Sequence, residues 1–366
     1  MKNHIIYLFT LCFALGYSQN SISEFTNSLD RNIPKQLKEK NVPGLAVAII
    51  DNAEVIYKKG FGLADINNQI KITSETGFNI GSISKLFTAW GVMKLVEKGK
   101  LNLDIPVENY LTRWKLPESK FDKSKVTIRG LLGHTGGISV HGYPGFHPDA
   151  KLPTLEASLN GENGPVRANE KVELIYEPQT KFEYSGGGYT ILQLVIEEVT
   201  GKSFEKYMQN QIFKPLKMKH TSFTINQNIL KNSATPYDED GKEVYFEVFT
   251  AKAAAGLQTT LEDMLIFVNA SLKGNKILNK DTLQLMRKPS KLSRGNYGLG
   301  YIIFPLGDIT VKGHTGTNTG WESAFLLDFE YKSGMIALTN ASKNGEAVAR
   351  RILREWVKWK TSQIKK

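Results

Sequence analysis

The stretch GSISKLFTAWGVMKLVEK, residues 81–98, is the most strongly helical segment of the chain, and Gly99 follows it as a stop signal. Ser82 and Lys85 stand three residues apart at its start, so both side chains lie on one face of the predicted helix. Free backbone N–H groups at a helix N-terminus stabilise a developing anion. The segment predicts a serine nucleophile with a lysine partner; the alternative is a helix-capping serine followed by a solvated lysine.

Strand patterns flank this helix on both sides along the sequence. Before it, the runs 45–50 and 54–62 predict a hairpin across a turn at 51–53. After a long mixed region, further strands are predicted at 300–304, 309–313, 323–329 and 334–339, and terminal helices at 21–40 and 345–360. This order predicts an α/β fold of the α+β type. An antiparallel sheet of about five or more strands is flanked by the N- and C-terminal helices and carries a large all-helical insertion.

The domain organisation expected from this pattern is a single catalytic domain over residues 20–366. Its sheet subdomain is expected at about 20–80 and 290–366, and its helical subdomain at about 81–289. Within the helical subdomain, helices are predicted at 189–199, 204–212 and 259–270. Residues 139–180 are rich in glycine, proline and polar side chains, which predicts a long loop that shapes the cleft.

The first residues resemble a targeting segment. Lys2 precedes an apolar run at 5–15, and small and polar residues follow, which predicts a secretory signal peptide over residues 1–19 and a secreted or periplasmic protein. The alternative is a buried N-terminal helix. The run is too short to span a bilayer and no later run is long enough, so no stable membrane anchor is expected. Cys12, the only cysteine, lies in this segment, which excludes disulfides and a cysteine nucleophile from the processed chain.

Charge and histidine spacing exclude several other classes. The formal net charge is +11, but the lysines and arginines are scattered, so no nucleic-acid partner is expected. The densest basic segment is the C-terminal helix. Its basic side chains either form a solvated face or attract the helix weakly to an anionic surface. The six histidines show no metal-ligand spacing, so neither a metal nor another cofactor is expected. No Gly-x-Ser-x-Gly elbow surrounds Ser82, which argues against an α/β-hydrolase fold.

An ordered set of short motifs resembles the serine beta-lactamase-related family. That family includes class C beta-lactamases, penicillin-binding DD-peptidases, family VIII carboxylesterases and D-amino-acid amidases. The motifs lie at 42–48, 59–65, 82–85, 95–101, 131–137, 184–189, 255–257, 297–300 and 313–316. Each motif alone is unspecific, but their order is specific and covers nearly the whole chain after the predicted signal peptide.

The resemblance implies a set of catalytic residues. Ser82 and Lys85 match the family's Ser-x-x-Lys, and Tyr184 matches the tyrosine of its Tyr-x-Asn motif, which implies a proton shuttle. Taken without the resemblance, Tyr184 reads as a core tyrosine at a turn before a helix. The chain departs from the motif at Gly186, where the family has an asparagine that helps to hold the acyl-side amide of a substrate. That contact is therefore not expected here in its usual form.

The family's third element is Lys-Thr-Gly or His-Thr-Gly, and this chain has two His-Thr-Gly runs, at 134–136 and 314–316. The mechanism requires an edge strand beside the serine, so His314 is assigned to the catalytic set. We interpret His134 as a hydrogen-bonded turn histidine. Because a histidine is mostly neutral at pH 7, a weaker demand for an anionic substrate is expected than with a lysine.

The resemblance also implies where the substrate binds. The backbone N–H groups of Ser82 and Thr317 are expected to form the oxyanion hole. Thr315, Gly316 and Gly186 are expected to complete the substrate-binding wall.

These expectations describe an exported serine hydrolase that acts through a Ser82 acyl-enzyme on an ester or on a D-amino-acid amide or peptide bond. The expected partner is a small-molecule or peptide substrate, for which a peptidoglycan-derived fragment is one candidate. Two alternatives stay open: a beta-lactamase, and a non-catalytic penicillin-binding sensor of cell-wall fragments. The oligomeric state is left open.

Overall fold

The computed structural model describes residues 22–162, 170–274 and 276–365. The predicted signal peptide at 1–19 lies outside these residues. The described chain combines many helices with a seven-stranded antiparallel sheet, which confirms the predicted fold class.

Secondary structure covers most of the described residues. The strands are β1 (Gly44–Asp51), β2 (Glu54–Asp65), β3 (Ile70–Lys71), β4 (Gly77–Asn79), β5 (Gln258–Thr260), β6 (Ile302–Leu306), β7 (Ile309–Asn318), β8 (Trp321–Asp328) and β9 (Ser333–Thr339). The α-helices are α1 (22–39), α2 (Ser84–Glu97), α3 (Ile128–Leu132), α4 (Leu155–Leu159), α5 (Gly186–Thr200), α6 (Phe204–Met208), α7 (Lys214–Leu216), α8 (Gln227–Asn232), α9 (Lys252–Ala255), α10 (Leu261–Lys273), α11 (Lys280–Met286) and α12 (Gly345–Ile364). Short 3-10 turns occur at Gly81–Ile83, Val107–Tyr110 and Lys123–Lys125, and a π-turn occurs at Gln209–Phe213.

The main sheet joins the two ends of the sequence. Its strand order is β3-β2-β1-β9-β8-β7-β6, and every pairing is antiparallel. The N-terminal hairpin meets the C-terminal strands between β1 and β9, in a register that runs from Leu45↔Thr339 to Ile50↔Gly334. Non-local pairing of this kind is set by the buried faces of the strands rather than by a turn.

The two faces of the sheet contact different cores. Leu45, Val47 and Ile49 pack beneath α1 and α12, where Phe25 stacks on Trp359 with ring centroids 4.7 Å apart. The intervening residues of β1 belong to the larger core beneath the helical part of the chain. Because successive strand side chains point to opposite faces, both helical layers depend on one alternating strand pattern.

Several local predictions differ from the structure. The helix predicted from residue 259 begins later: Gln258–Thr260 form β5, which pairs with β4 in a separate ladder. Thr260 caps α10 by accepting a hydrogen bond from the Asp263 N–H, so the helix begins at Leu261. The predicted loop at 139–180 contains the short helix α4 among its described residues.

The strand predicted at 309–313 continues to Asn318, so the second His-Thr-Gly motif lies within β7 rather than after it. The β6 ladder on one side of β7 ends at the Ile302↔Gly313 pair, whereas the β8 ladder continues to Asn318↔Trp321. The segment that follows Gly313 therefore has one unpaired edge.

No helix in the described ranges is long and apolar enough to cross a membrane. Within the same ranges, no group of three or more His, Cys, Asp or Glu side chains could hold a metal ion.

Candidate active site

Ser82 and Lys85 meet at the start of α2. Ser82 lies in the 3-10 turn that leads into the helix, and Lys85 Nζ is 3.1 Å from Ser82 Oγ. The same Nζ donates to the carbonyl oxygen of Ala254 at 2.8 Å. Lys85 is only 1% exposed, and this burial lowers its pKa to about 7. A substantial fraction of the amine is therefore unprotonated near neutral pH, where it can accept a proton from a serine hydroxyl.

Tyr184 approaches this pair from the residue before the N-cap of α5. Lys85 Nζ is 4.9 Å from the centroid of the Tyr184 ring. Burial raises the pKa of Tyr184, and the nearby Ser82 hydroxyl offsets part of that rise. The Tyr184 hydroxyl is buried and has no hydrogen-bond partner of good geometry among the described residues. The structure thus brings a neutral phenol to the serine and the lysine.

Strand β7 passes directly beside the turn that carries Ser82. Gly81 has a φ of +50°, and a Cβ atom there would lie 2.5 Å from the backbone nitrogen of Thr317. A Cβ atom on Gly316 would collide with the carbonyl oxygen of Ile80. Only glycine at both positions permits this approach, which sets the Thr317 N–H against the turn of Ser82.

A cavity of about 410 Å³ gathers most of the predicted site residues. Its lining residues are Ser82, Lys85, His141, Gly142, Tyr143, Tyr184, Ala254, Ala255, Ile302, His314, Thr315, Gly316, Thr317 and Asn318. The residues that the sequence assigned to the catalytic set and to the β7 wall therefore share one cleft.

Gly186 is the predicted site residue that does not line this cavity. Its N–H donates to the carbonyl oxygen of His141 at 3.0 Å. A Cβ atom on Gly186 would lie 3.1 Å from that oxygen and 3.3 Å from Gly142 Cα. The loop that carries His141 therefore occupies the space that a side chain at position 186 would need, and the loop itself lines the cleft there.

The two His-Thr-Gly motifs are joined by Tyr297. Its Oη lies 3.1 Å from Nε2 of His134 and 3.1 Å from Nε2 of His314. His134 is buried, has a φ of +56°, and accepts the Ser185 N–H on its Nδ1 at 3.0 Å, as a hydrogen-bonded turn histidine would. We call His134, Tyr297 and His314 the histidine–tyrosine bridge.

His314 has protein partners for both ring nitrogens, because its Nδ1 also lies 2.5 Å from the carbonyl oxygen of Thr315. Burial first, and the charge of Lys85 second, lower the pKa of His314 to about 3. The ring is therefore neutral at physiological pH. It contributes no cation to the cleft.

The sequence reasoning missed three contributors to this site. Tyr297 lies in the motif at 297–300, but nothing in that motif indicated which residue it would contact. His141 was not assigned to the site; it is exposed, yet its ring centroid is 5.0 Å from that of Tyr184 and it lines the cleft. The Ala254 carbonyl that holds Lys85 carries no side-chain signal.

Comparison with known proteins places this arrangement in a family. A sequence profile described as Beta-lactamase matches residues 29–356. The chain belongs to the beta-lactamase family. Protein flp of Staphylococcus aureus strain MRSA252 is 28% identical over 325 residues, which cover 85% of this chain and 62% of flp. The chain thus spans less than two thirds of the length of flp. The putative penicillin-binding protein PbpX of Bacillus subtilis is 30% identical over 77% of this chain and 68% of its own length.

A solved structure agrees with this membership. The octameric penicillin-binding protein homologue from Pyrococcus abyssi matches with a TM-score of 0.70 and 29% identity, over 87% of this chain and 74% of that one. The chain thus belongs to a family of serine hydrolases that resemble beta-lactamases and penicillin-binding proteins.

Proposed function

We propose that this protein is an exported serine hydrolase that acylates Ser82 and cleaves an ester bond or a D-amino-acid amide or peptide bond. The observation that carries the proposal is the Lys85 amine, which is 3.1 Å from Ser82 Oγ and has a pKa lowered to about 7 by burial. The relative and the solved structure named for penicillin binding support a cell-wall-related acyl substrate, for which a peptidoglycan fragment is one candidate. A secreted or periplasmic location belongs to the same proposal.

Acylation begins with transfer of the Ser82 hydroxyl proton to the neutral Lys85 amine. The Oγ atom then forms a bond to the substrate carbonyl carbon, and the carbonyl oxygen becomes an oxyanion. The N–H groups of Ser82 and Thr317 stabilise that oxyanion, since the Gly81 turn and β7 lie in backbone contact. Loss of one such donor lowers kcat about 100- to 1000-fold in serine hydrolases.

Tyr184 carries the proton onward. Because burial raises its pKa, Tyr184 is a neutral phenol that donates a proton to the leaving alkoxide or amine while Lys85 resupplies it. The carbon–oxygen or carbon–nitrogen bond then breaks and leaves the acyl-enzyme. Water attacks this ester and gives its proton back through the same groups, which releases the acid and restores Ser82.

The two alternative functions, a beta-lactamase and a sensor, require different features of the cleft. A beta-lactamase of this family gains from a cation that binds the substrate carboxylate, whereas both nitrogens of His314 are bonded within the protein. A sensor would bind or acylate without turnover. The lowered pKa of Lys85 favours turnover, since a base that is unprotonated near neutral pH also activates the hydrolytic water.

The test is active-site labelling followed by turnover. A fluorophosphonate probe and a fluorescent penicillin should label the wild type and not Ser82→Ala. Ser362→Ala, which alters a serine on α12 outside the cleft, is the matched control and should label normally. We expect Ser82→Ala to lower kcat for p-nitrophenyl butyrate at least about 1000-fold.

Turnover of a set of substrates distinguishes the proposed function from the beta-lactamase and sensor alternatives. Faster turnover of nitrocefin than of esters or a D-Ala-D-Ala peptide would indicate a beta-lactamase. Labelling without turnover of any substrate would indicate a sensor. Equal labelling of wild type and Ser82→Ala would overturn the nucleophile assignment.

A further inference from the structure

We propose that Tyr297 is a positioning residue that holds His314 in one neutral tautomer and thereby keeps the β7 wall of the cleft uncharged. The inference extends the proposed function by naming a substrate class, namely acyl groups without a carboxylate directed at that wall. Its kinetic consequence rests on the proposed function, whereas the tautomer of His314 does not.

The two ends of the histidine–tyrosine bridge fix its donors and acceptors. At one end, the Ser185 N–H donates to His134 Nδ1 at 3.0 Å, so that nitrogen holds a lone pair and Nε2 of the neutral ring holds the proton. At the other end, the Thr315 carbonyl can only accept, and it lies 2.5 Å from His314 Nδ1. His314 therefore carries its proton on Nδ1 and a lone pair on Nε2.

Tyr297 fits between these two nitrogens in only one orientation. Its Oη accepts the His134 Nε2–H at 3.1 Å and donates its own proton to His314 Nε2 at 3.1 Å. The neighbouring Tyr189 phenol donates its own proton to the Leu132 carbonyl at 3.0 Å, so it is not a donor to the Tyr297 oxygen. Every polar atom of the bridge is thus used, and the polarity runs in one direction from Ser185 to Thr315.

The surroundings oppose a charge on His314. The ring is 1% exposed, and the groups that face it are the Lys85 amine on α2, the Tyr184 phenol before α5, and the other members of the bridge. None of these described neighbours is a carboxylate. A proton added to Nε2 would meet the proton of the Tyr297 hydroxyl and repel Lys85, so ionisation requires that the bridge be broken.

The consequence concerns substrate choice. His314, Thr315 and Gly316 line the cavity, but the His314 ring offers it no free N–H donor and no cation. A carboxylate directed at the His314 ring would lose its hydration and gain neither a cation nor a free N–H donor there, which is costly. Neutral acyl groups do not incur that cost.

The first experiment needs no substrate. Long-range 15N NMR of the wild type should show His314 with a protonated Nδ1 and an unprotonated Nε2, unchanged between about pH 5 and 8, where a free histidine titrates. Tyr297→Phe removes the donor that stabilises the lone pair on Nε2, so the pKa of His314 should rise although the ring stays buried, and Nε2 should gain a proton at a higher pH than in the wild type. A wild-type His314 that titrates there, or that carries its proton on Nε2, would overturn the proposal.

The second experiment measures specificity with two esters of one leaving group, p-nitrophenyl hemisuccinate and p-nitrophenyl butyrate. The wild-type ratio of their kcat/KM values should stay within about twofold from pH 8 to pH 5. In Tyr297→Phe the ratio should rise more than about twofold toward pH 5, as part of the His314 population becomes cationic. Tyr207→Phe removes another buried phenol, one that donates to the Gly91 carbonyl at 2.9 Å, and should leave the ratio flat.

The NMR and kinetic experiments can contradict the proposal independently of each other. If the wild type hydrolyses neither ester, the esterase form of the proposed function is wrong, and the NMR experiment still decides the tautomer. If Tyr297→Phe gives a flat ratio and leaves the protonation of His314 as it is in the wild type, Tyr297 does not hold the tautomer. The kinetic effect should also disappear in Tyr297→Phe/His314→Gln, because no titrating group then remains at that position.

Discussion

Lys85 is fully buried, although its amine is the proposed catalytic base. Among the described residues, only Ser82 Oγ and the Ala254 carbonyl accept its hydrogen bonds, and no carboxylate is paired with it. An unpaired ammonium in such a place is disfavoured relative to the neutral amine. The desolvation that makes the lysine an unfavourable component of the core is therefore what makes it a usable base.

This state of Lys85 predicts the pH dependence of the reaction. The active form is the neutral amine, so kcat/KM for a neutral ester should rise about tenfold per pH unit below the pKa of about 7 and level off above it. Lys85→Met should lower kcat/KM at least about 1000-fold across the whole range. A pH–rate profile between about pH 5 and 9 measures both effects. A limb that continues to rise past about pH 9 would contradict a lowered lysine pKa.

Residues of this site were predictable where sequence spacing sets the geometry. Ser82 and Lys85 share one helical turn, so their proximity follows from the helix itself. Tyr297 is 163 positions from His134, and nothing local indicates that its hydroxyl would lie between two histidines. Its role depends on the packing of the loop that follows α3 against β7, which a single sequence does not specify.

At the scale of elements, strands with a clear alternating pattern were predictable from the sequence, whereas very short strands and their pairing were not. The alternating runs predicted most strands of the main sheet, because burial on two faces leaves a period of two. The three-residue strands β4 and β5 were missed, since segments so short have no measurable period. The continuation of β7 was missed as well, because glycines at 313 and 316 interrupt its apolar pattern.

The loop before α5 gives a prediction of its own. Gly186→Asn should not restore the family's asparagine contact, because its Cβ atom would lie 3.1 Å from the His141 carbonyl and displace the loop. We expect kcat/KM to fall for p-nitrophenyl butyrate and for an N-acyl amino-acid ester alike, about tenfold, with a lower thermal midpoint. Gly188→Ala, whose Cβ atom would meet its nearest neighbour at 3.5 Å, is the matched control on the same helix. A selective gain on the N-acyl substrate would show that the loop yields to the side chain.

For the whole molecule, stability and catalysis depend on opposite faces of the sheet. The cleft opens on the face covered by the helical part of the chain, whereas α1 and α12 pack on the other face. The Lys360 amine at the end of α12 pairs with Asp51 at the end of β1, with Nζ and Oδ1 2.5 Å apart and side chains only 7% and 10% exposed. This buried pair joins the C-terminal helix to the N-terminal hairpin, two elements that are far apart in the sequence.

Removing one partner of a buried pair leaves the other charge without compensation, which costs about 3 kcal/mol or more. Lys360→Met should therefore lower the free energy of unfolding by about that amount, measured by urea denaturation. Lys360→Met/Asp51→Asn should cost less than the single variant, because no charge is then left buried. The exposed pair between Lys365 and Asp308, with side chains 66% and 53% exposed, is the control, and Lys365→Met should cost under about 1 kcal/mol.

The separation of the two faces makes the same variants informative about activity. Neither Lys360 nor Asp51 lines the cleft, so kcat/KM per folded molecule should stay within about twofold of the wild type in both buried-pair variants. If the double variant lost as much stability as the single one, the pair itself rather than the orphaned charge would hold the helix. A parallel loss of kcat/KM at temperatures where the protein is fully folded would mean that the sheet transmits strain from β1 to β7, which are separated in the sheet by β9 and β8.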